Sequence, residues 1–370
     1  MANLFFIHTP LQLMVAQLII RQESLQDNVM LYGYVDNNVQ FLDIYDLTII
    51  EELWSKRVAF PQVSNWAGIA RKHVIRDGNV AFQHYRHISK VIRDYHIDSV
   101  FLGDMWNKSC QLTAMAFHRK GMKISFFEEG NGHYILKHSH GEIGSFADKV
   151  YALMIDAFYY LPFFGVRMGY ITFWKGFELG DLPMDVRYSV VPFYHEEFDK
   201  LLTVKPVVSD KLKQYIAKEV MQIGQKASIL LMTTPLYEWM GERNKKDEEI
   251  YVNTIVNYMK SLEKGTCVHI KFHPREKEHI RKKLMMELAK ADIGYVILGR
   301  EINIPAEYYL QYIHYEKIVM FLSSTAFYNG YLFPKVQFES LLEDYYNNCK
   351  VAGSQSVGLL EPLLKEIPKE

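Results

Sequence analysis

The sequence predicts an α/β protein of two domains, each a parallel sheet with helices on both faces. The chain has 370 residues, which suits two domains of ordinary size. Short apolar runs alternate with amphipathic segments along most of the chain, as in parallel sheets whose strands are connected by helices. Hydrophobic residues make up 49% of the sequence, enough for two cores. We place the boundary at residue 190, which gives domains 1–190 and 191–370.

The predicted N-terminal domain begins with a strand, a turn and a helix. Leu4 to Ile7 is a short apolar run, His8-Thr9-Pro10 interrupts it, and apolar periodicity from 11 to 20 predicts a helix. Further strands are predicted at 28–36, 98–104 and 122–130, and further helices at 82–96 and 110–121, the last ending before Gly121. We interpret the irregular aromatic segment 145–190 as a loop-rich insertion and a connection between domains.

The alternation returns in the predicted C-terminal domain. The pattern predicts strands within 226–235 and 267–274, each followed by a helix, at 248–262 and 275–291. The series continues through GYVILG, IPAEYYLQYI, KIVMFLSSTAF and KVQFESLLEDYY to the end of the chain. Two sheets of this kind facing each other would form a cleft, and ligands of open α/β sheets bind beyond the carboxyl ends of the strands.

Composition excludes several classes of protein. A formal net charge of −1 gives no global field that would attract nucleic acid. The three cysteines are far apart and form no metal-binding spacing, so we expect a reducing compartment, no disulfides and no metal site. The N-terminus lacks the features of a signal peptide, and no apolar stretch is long enough to span a bilayer. We therefore expect a cytoplasmic protein.

The stretch FFEEGNGHY carries the first candidate site. Glu128 and Glu129 follow a predicted buried strand, where mutual repulsion and partial burial would raise a carboxylate pKa toward the range of a general base. In Gly130-Asn131-Gly132 the glycines permit positive φ and a close approach of the backbone to a ligand. The alternative is a charged loop after a strand.

A second candidate site is IKFHPRE. Lys271 and His273 share one strand face, and we expect Pro274 to open the following helix, whose N-terminus would attract an anion. A cation, an imidazole and a helix N-terminus suit a phosphate group. The alternative is a strand-end histidine beside a solvated basic helix.

The remaining candidates also follow predicted strands or begin helices. The hydroxyls of Ser323, Ser324 and Thr325 could form a second phosphate cradle or serve as ordinary helix caps. Thr234 follows the strand that is predicted within 226–235. Glu307, in the first turn of a helix, could accept hydrogen bonds from ribose hydroxyls or simply complement the helix dipole.

One basic segment and one aromatic segment have no assigned chemistry. Residues 71–96 carry six lysines and arginines, which could bind an anionic glycan, lie near anionic lipid, or form a solvated helix face. The aromatic residues of 158–174 could stack on sugar, rest on a membrane, or pack in the core.

The three motifs in this order resemble those of bacterial sialyltransferases. EEG at 128–130, HP at 273–274 and SST at 323–325 are similar to the (D/E)-(D/E)-G, HP and Ser-Ser/Thr motifs of two families. These are the lipooligosaccharide sialyltransferases of glycosyltransferase family 52 and the capsular polysialyltransferases of family 38. GNGHY, KFHPRE and the TPLQL turn also fit, and EEG with KFHPRE favours the polysialyltransferases.

The resemblance implies a GT-B fold, with an acceptor-side N-terminal domain and a nucleotide-sugar-binding C-terminal domain. It implies an inverting, metal-independent transfer of sialic acid from CMP-sialic acid to a lipooligosaccharide or capsular glycan acceptor, without a cofactor. Glu128 would be the general base, and His273 would hydrogen-bond or protonate the leaving phosphate. The residues implied on the donor side are Lys271, Pro274, Thr234, Glu307, Ser323, Ser324 and Thr325. Those implied on the acceptor side or its loop are Thr9, Gln12, Glu129, Gly130, Asn131 and Gly132.

Two other functions remain open at this point. A related transferase could use a CDP-alcohol or a UDP-sugar as donor, since such enzymes also hold nucleotide phosphates with an HP element. A non-catalytic glycan-binding assembly protein could keep the same fold. In the sialyltransferase hypothesis the partners are the donor and a glycan or glycolipid acceptor, with no nucleic acid and with peripheral contact to the inner membrane.

Overall fold

The computed structural model describes residues 2–33, 40–60, 74–103, 108–127, 146–165, 167, 184–192, 200–223, 228–238, 245–263, 265–354, 356–361 and 363–366. The chain divides into two compact units, Met1–Val207 and Val208–Glu370. Each unit is an α/β structure with its own parallel sheet, so the predicted fold class of two Rossmann-like domains is confirmed.

The first unit contains a parallel sheet of seven strands among its described residues. The strands are β1 Ala2–Ile7, β2 Asn28–Gly33, β3 Lys56–Phe60, β4 Ile97–Leu102, β5 Lys123–Phe127, β6 Val186–Ser189 and β7 Lys200–Leu201. Their order is β3-β2-β1-β4-β5-β6-β7. The order reverses between β1 and β4, which makes this the switch point of the sheet. The boundary that we place at residue 190 falls between β6 and β7, which pair with each other.

Helices cover this sheet and bury its apolar side chains. They are α1 Pro10–Gln22, α2 Gln40–Thr48, α3 Val74–Asp94, α4 Lys108–Arg119, α5 Phe146–Ile155 and α6 Leu161–Phe164, with a π-helical turn Asp156–Tyr160 joining the last two. Leu4, Phe6, Val100 and Phe126 are fully buried in the resulting core. Burying each such side chain contributes roughly 1.5–3 kcal/mol, which favours apolar residues at the buried positions of these strands.

The second unit repeats the same strand order with five strands. They are β8 Ile229–Met232, β9 Val268–Lys271, β10 Tyr295–Leu298, β11 Lys317–Met320 and β12 Gln337–Ser340, arranged as β10-β9-β8-β11-β12. All the pairings are parallel, and Met232 lies opposite both Lys271 and Met320. The central strands therefore end at one level, with the switch point between β8 and β11.

The helices of the second unit complete its core. They are α7 Asp210–Ile223, α8 Lys245–Ser261, α9 Glu278–Lys290, α10 Ala306–Tyr309, α11 Leu342–Val351 and α12 Val357–Leu360. Short 3₁₀ turns lie at Leu236–Glu238, Ser324–Ala326 and Leu363–Glu366, and another in the first unit at Glu51–Leu53. Tyr251, Val268, Leu284 and Val319 are fully buried between these helices and the sheet.

One predicted element is wrong in type, and one predicted helix is confirmed but begins earlier than expected. Residues 146–164 are helical and not a loop-rich insertion, because their aromatic side chains pack on α3. The sequence pattern does not reveal this helix, since no polar face marks the helical period. The helix predicted at 82–96 begins at Val74. Gly121 confirms the predicted end of α4, since it has φ +68 and the Met122 N–H bonds back to the carbonyl of Phe117.

Candidate active site

Three strand ends of the second unit are hydrogen-bonded to each other at the switch point. The Thr234 hydroxyl, after β8, donates to the carbonyl of Leu322, after β11, at 2.8 Å. The His273 N–H, after β9, donates to the hydroxyl of Thr233 at 2.9 Å. The residues after β8 thus join those after β9 and β11, and the HP and SST motifs lie on the two sides of one strand end.

The backbone of His273 is fixed by its own turn and by α9. Its carbonyl accepts hydrogen bonds from the Glu276 N–H at 2.9 Å and from an Nη2 group of Arg281 at 3.2 Å. Pro274 is exposed within this turn, and α9 begins only at Glu278. The prediction that Pro274 opens the helix is therefore wrong, because the chain first makes the turn that these bonds close.

The imidazole of His273 is a neutral hydrogen-bond donor. Its Nδ1 accepts the Arg275 N–H at 3.1 Å, which places the ring proton on Nε2. Burial, followed by the nearby charges of Arg275, Lys271 and Arg281, lowers the pKa of His273 to about 4. The ring is half-buried, so its Nε2–H can donate to a ligand at neutral pH.

Lys271 is buried beside the same turn. Its ammonium group donates to the side-chain oxygen of Asn303 and, at 3.4 Å, to the carbonyl of Phe272. The side-chain amide of Asn303 also donates to that carbonyl, at 3.2 Å. Burial lowers the pKa of Lys271 to about 7, although Glu307 and Glu219 oppose the shift. An added anion would favour the charged form of this amine.

The residues of the SST motif form a small network with Glu307. The Ser323 hydroxyl caps the turn Ser324–Ala326 by accepting the Thr325 N–H at 3.3 Å, and it donates to the Thr325 hydroxyl at 3.0 Å. Thr325 in turn donates to the Glu307 carboxylate at 2.7 Å. Glu307 is buried, and burial raises its pKa. Ser323 and Ser324 are the half-buried members of this network.

These contacts divide the donor-side predictions into two groups. His273, Ser323 and Ser324 are half-buried at the strand ends around the switch point, and their ligand roles stay predictions. The other donor-side residues are buried and hydrogen-bonded to protein groups; they are Lys271, Thr234, Thr325 and Glu307. Their predicted ligand roles stay predictions, and the contacts indicate that they support the loops that would touch a ligand.

The sequence does not indicate the role of Glu276, which is linked to the backbone of His273 through Thr233. Its buried carboxylate accepts hydrogen bonds from Tyr237 at 2.6 Å and Tyr251 at 3.1 Å, and a third from the hydroxyl of Thr233. Burial raises the pKa of Glu276, and these bonds oppose the shift. Thr233 accepts the His273 N–H, so the chain of bonds runs from the carboxylate to the HP turn.

Thr9 and Gln12 form a capping box at the start of α1. The Gln12 N–H donates to the Thr9 hydroxyl at 3.2 Å, and the Gln12 side-chain oxygen accepts the N–H groups of His8 at 2.6 Å and Thr9 at 3.3 Å. Gln12 is fully buried at the carboxyl end of β1, and its Nε2 has no hydrogen-bond partner within the described ranges. Their predicted acceptor role stays a prediction.

The strand before the EEG motif ends beside Gln12. A Cβ atom at Gly103 would lie 2.6 Å from Cδ of Gln12 and 2.8 Å from a ring carbon of Phe127, so the ends of β4 and β5 pack closely there. The predicted residues Glu128, Glu129, Gly130, Asn131 and Gly132 follow Phe127 and lie outside the described residues.

Neither a metal cluster nor a membrane-spanning helix is found in the part of the chain that the structure describes. Its His, Cys, Asp and Glu residues form no group of three or more that could hold a metal ion. None of its helices is long and apolar enough to cross a bilayer.

The described residues form a two-domain α/β protein, with polar side chains at the switch point of the second sheet, where ligands of such sheets bind. The chain belongs to the alpha-2,8-polysialyltransferase (POLYST) family, whose family model matches residues 3–342. It is a glycosyltransferase of the sialyltransferase class. Of the two families that the motifs resemble, the match supports the polysialyltransferases. No curated protein sequence matches the chain at a significant level.

Solved structures with a similar fold include an epimerase and a rhamnosyltransferase. The UDP-GlcNAc 2-epimerase of Methanocaldococcus jannaschii, in complex with UDP-GlcNAc and UDP, has 13% identity and a TM-score of 0.47, with 88% of this chain and 80% of that chain covered. MurG of Acinetobacter baumannii has 10% identity and a TM-score of 0.39, with coverage of 88% and 74%. The spinosyn rhamnosyltransferase SpnG has 11% identity and a TM-score of 0.43, with coverage of 95% and 85%. No conclusion about this chain rests on these three likenesses.

Proposed function

We propose that the protein transfers sialic acid from CMP-sialic acid to a hydroxyl of a surface glycan, with inversion at the anomeric carbon and without a metal ion. The observation that carries the proposal is the joined group of strand ends in the second unit, where the residues after β8 bond both to the HP turn and to the residue before the SST motif. The family match over residues 3–342 supports the reaction class.

The donor phosphate is the group that this arrangement suits. Departure of CMP leaves negative charge on one phosphate, and prepositioned donors stabilise charge as it develops. In our proposal the Nε2–H of His273 donates to a phosphate oxygen, with the hydroxyls of Ser323 and Ser324 nearby. With a pKa of about 4, His273 is neutral at pH 7, which favours hydrogen bonding over proton donation as its role.

Lys271 would supply the positive charge. Its pKa of about 7 leaves the amine partly neutral at neutral pH, and binding of the anionic donor would draw it to the charged form. Because the amine is buried and hydrogen-bonded to Asn303, we expect its charge to stabilise the donor phosphate electrostatically, without direct contact.

Glu128 is the proposed general base that takes the proton from the acceptor hydroxyl. Attack from the face opposite the departing phosphate would give inversion, as in inverting glycosidases where two groups act on opposite faces of a sugar. The acceptor is a glycan or glycolipid of the cell surface. A capsular polysialic acid chain agrees with the family, and lipooligosaccharide is the other acceptor considered.

We place the protein in the cytoplasm, with peripheral contact to the inner face of the cytoplasmic membrane. This proposal rests on the cysteine usage and on the basic and aromatic segments of the first unit. The chemical steps above do not depend on it.

The deciding experiment is transfer from CMP-sialic acid to labelled lactosides and oligosialosides, with the product linkage identified by mass spectrometry and NMR. Glu128→Gln should abolish transfer while CMP still binds, because the amide cannot accept the proton. Glu129→Gln is the matched control and should retain measurable transfer. Full activity of Glu128→Gln would show that the base is assigned wrongly.

The donor is tested separately by thermal shift with CMP-, CDP- and UDP-linked compounds. CMP and CMP-sialic acid should raise the melting temperature most, since ligands that bind only the folded state stabilise it. Greater stabilisation by a UDP-sugar or a CDP-alcohol would overturn the proposed donor. Activity that is unchanged by EDTA is expected, and loss restored by a divalent ion would contradict metal independence.

A further inference from the structure

The helical segment Phe146–Phe164 exposes a continuous apolar face. Phe146 is 81% exposed, Leu153 58% and Phe158 64%, whereas large apolar side chains of this kind are usually buried. The other exposed residues of the segment whose side chains the structure describes are Ala147, Val150, Met154, Ala157, Leu161 and Pro162. They recur at helical spacing, so they form one stripe, here called the apolar stripe. At about 1.5 Å per residue, the segment is about 28 Å long.

The opposite face of this segment is firmly packed on α3 and α4. Tyr151 donates to the buried Asp77 of α3 at 2.9 Å, and the ring of Phe163 lies 4.9 Å from that of Phe82. A Cβ atom at Gly78 would lie only 2.0 Å from a ring carbon of Tyr159, which shows how closely α3 approaches the π-helical turn. The stripe is therefore held outward on a supported helix.

Exposed arginines of both supporting helices lie beside this segment: Arg119 of α4 contacts it directly, and Arg76 and Arg86 of α3 contact α3 residues that pack on it. The guanidinium of Arg119 donates to the carbonyl of Pro162 at 2.6 Å. That of Arg86 lies 5.8 Å from the ring centre of Phe82, which itself packs on Phe163. Arg76 lies beside Asp77, the partner of Tyr151. Exposed positive charges thus flank the segment that carries the apolar stripe, and the two carboxylates on the inner side, Asp77 and Asp156, are buried.

This combination distinguishes a bilayer from a protein partner. A protein interface usually needs about one hydrogen bond per 100–200 Å² of contact, and the described side chains of the apolar stripe offer neither donors nor acceptors. A helix that lies in the plane of a membrane buries only apolar side chains and uses flanking Lys and Arg to attract anionic headgroups. The stripe and its arginines have that chemistry.

We propose that the apolar stripe, with Arg76, Arg86 and Arg119, is the surface by which the protein lies on an anionic lipid bilayer. The inference deepens the proposed peripheral membrane contact by naming the residues that make it. It is independent of the donor, the base and the acceptor. A result that contradicts membrane binding by this surface would therefore leave the proposed catalytic function untouched, and the reverse also holds.

The test is co-flotation of the full chain with vesicles of phosphatidylcholine, alone or mixed with phosphatidylglycerol. The protein should bind the mixed vesicles, and binding should weaken as salt is added, because exposed charges are screened. Leu153→Glu with Phe158→Glu should lower the partition coefficient at least about a hundredfold, since two large side chains lose their apolar environment. Met221→Glu, at an 81% exposed apolar position of α7, is the matched control and should not change binding.

The charge contribution is tested by Arg86→Gln, which should lower binding to the mixed vesicles about fivefold. Lys218→Gln on α7 is its control, because Lys218 is exposed but lies on the second unit. Transfer to a soluble acceptor should be unchanged in all these variants, which shows that they fold. If the Leu153→Glu, Phe158→Glu variant is not folded, a second experiment replaces it. An environment-sensitive dye is attached to Ala157→Cys in a Cys267→Ser background, and its fluorescence emission should shift to the blue when mixed vesicles are added.

Three results would overturn the proposal. The first is an absence of vesicle binding by the folded protein, or no shift of the dye. The second is binding that the Leu153→Glu, Phe158→Glu variant retains. The third is a stable oligomer in light scattering that this variant converts to a monomer, since the stripe would then be the surface for a second copy of the chain.

Discussion

The buried Tyr251 hydroxyl joins two parts of the candidate site, so its removal gives a sharp test. In the folded second unit the hydroxyl donates to the Glu276 carboxylate at 3.1 Å and accepts the Thr234 N–H at 3.2 Å. The ring is fully buried and stacks on Phe321 with centres 4.9 Å apart. Tyr251→Phe should keep the ring in place and remove only the two hydrogen bonds.

The expected cost follows from the kind of group left without a partner. A hydrogen bond to a charged group contributes about 1.5–3 kcal/mol, and a buried donor left unsatisfied costs about 1–3 kcal/mol. Glu276 keeps its bonds from Tyr237 and Thr233, which limits its share of the loss. We therefore expect Tyr251→Phe to lower the free energy of unfolding by about 3 kcal/mol.

Hydrogen exchange followed by mass spectrometry measures this loss where it should occur. The peptides that contain β8 and β9 should exchange about a hundredfold faster in the variant under conditions of equilibrium opening. Tyr345→Phe is the matched control, because this buried ring packs against the same Phe321 and its hydroxyl has no hydrogen-bond partner among the described residues. A loss no larger than that of the control would refute the assigned role of the Tyr251 hydroxyl.

Three further predictions follow from the same contacts. His273→Asn keeps an acceptor for the Arg275 N–H but loses the Nε2–H of the imidazole. The kcat for transfer should therefore fall about a hundredfold, and the affinity for CMP should fall less. An unchanged kcat in steady-state kinetics would contradict this prediction. Burial lowers the pKa of Lys271 to about 7, so above that pH CMP binding should be accompanied by uptake of a proton and should weaken as pH rises. Calorimetry at pH 8 in two buffers should show this proton uptake in the unaltered protein and not in Lys271→Met. Equal proton uptake in both proteins would contradict the prediction. Gly121→Ala should lower the stability by about 1 kcal/mol because φ is +68, whereas Gly294→Ala, at an ordinary φ with open space around it, should not; equal melting temperatures would contradict the strain argument.

Much of the fold could be read from local pattern. The apolar runs within β1, β4, β9 and β11 predict their strands, because most of their residues are buried and buried positions favour apolar side chains, with His269 and Lys271 of β9 as exceptions. Gly121 predicts the end of α4, because only glycine adopts that φ without strain. In contrast, the segment 146–164 carries apolar residues on both faces, so its helical period was hidden and we interpreted it as a loop.

The candidate site was only partly accessible to the same reasoning. The order of the EEG, HP and SST motifs indicated the sialyltransferases, and the family match confirms that class. The support behind His273 could not be predicted, since Tyr237, Tyr251 and Glu276 come from separate segments and meet only when α8 packs on the sheet.

The sequence by itself determined which residue types end the strands, because polar side chains after an apolar run show directly in the order of residues. Only the tertiary structure decided which of them remain accessible and which are used internally. His273 presents its Nε2–H because Arg275 occupies Nδ1, whereas Glu307 and Thr325 satisfy each other in the interior. Burial and hydrogen-bond partners depend on contacts between distant segments, and these contacts also set the protonation states on which the chemistry depends.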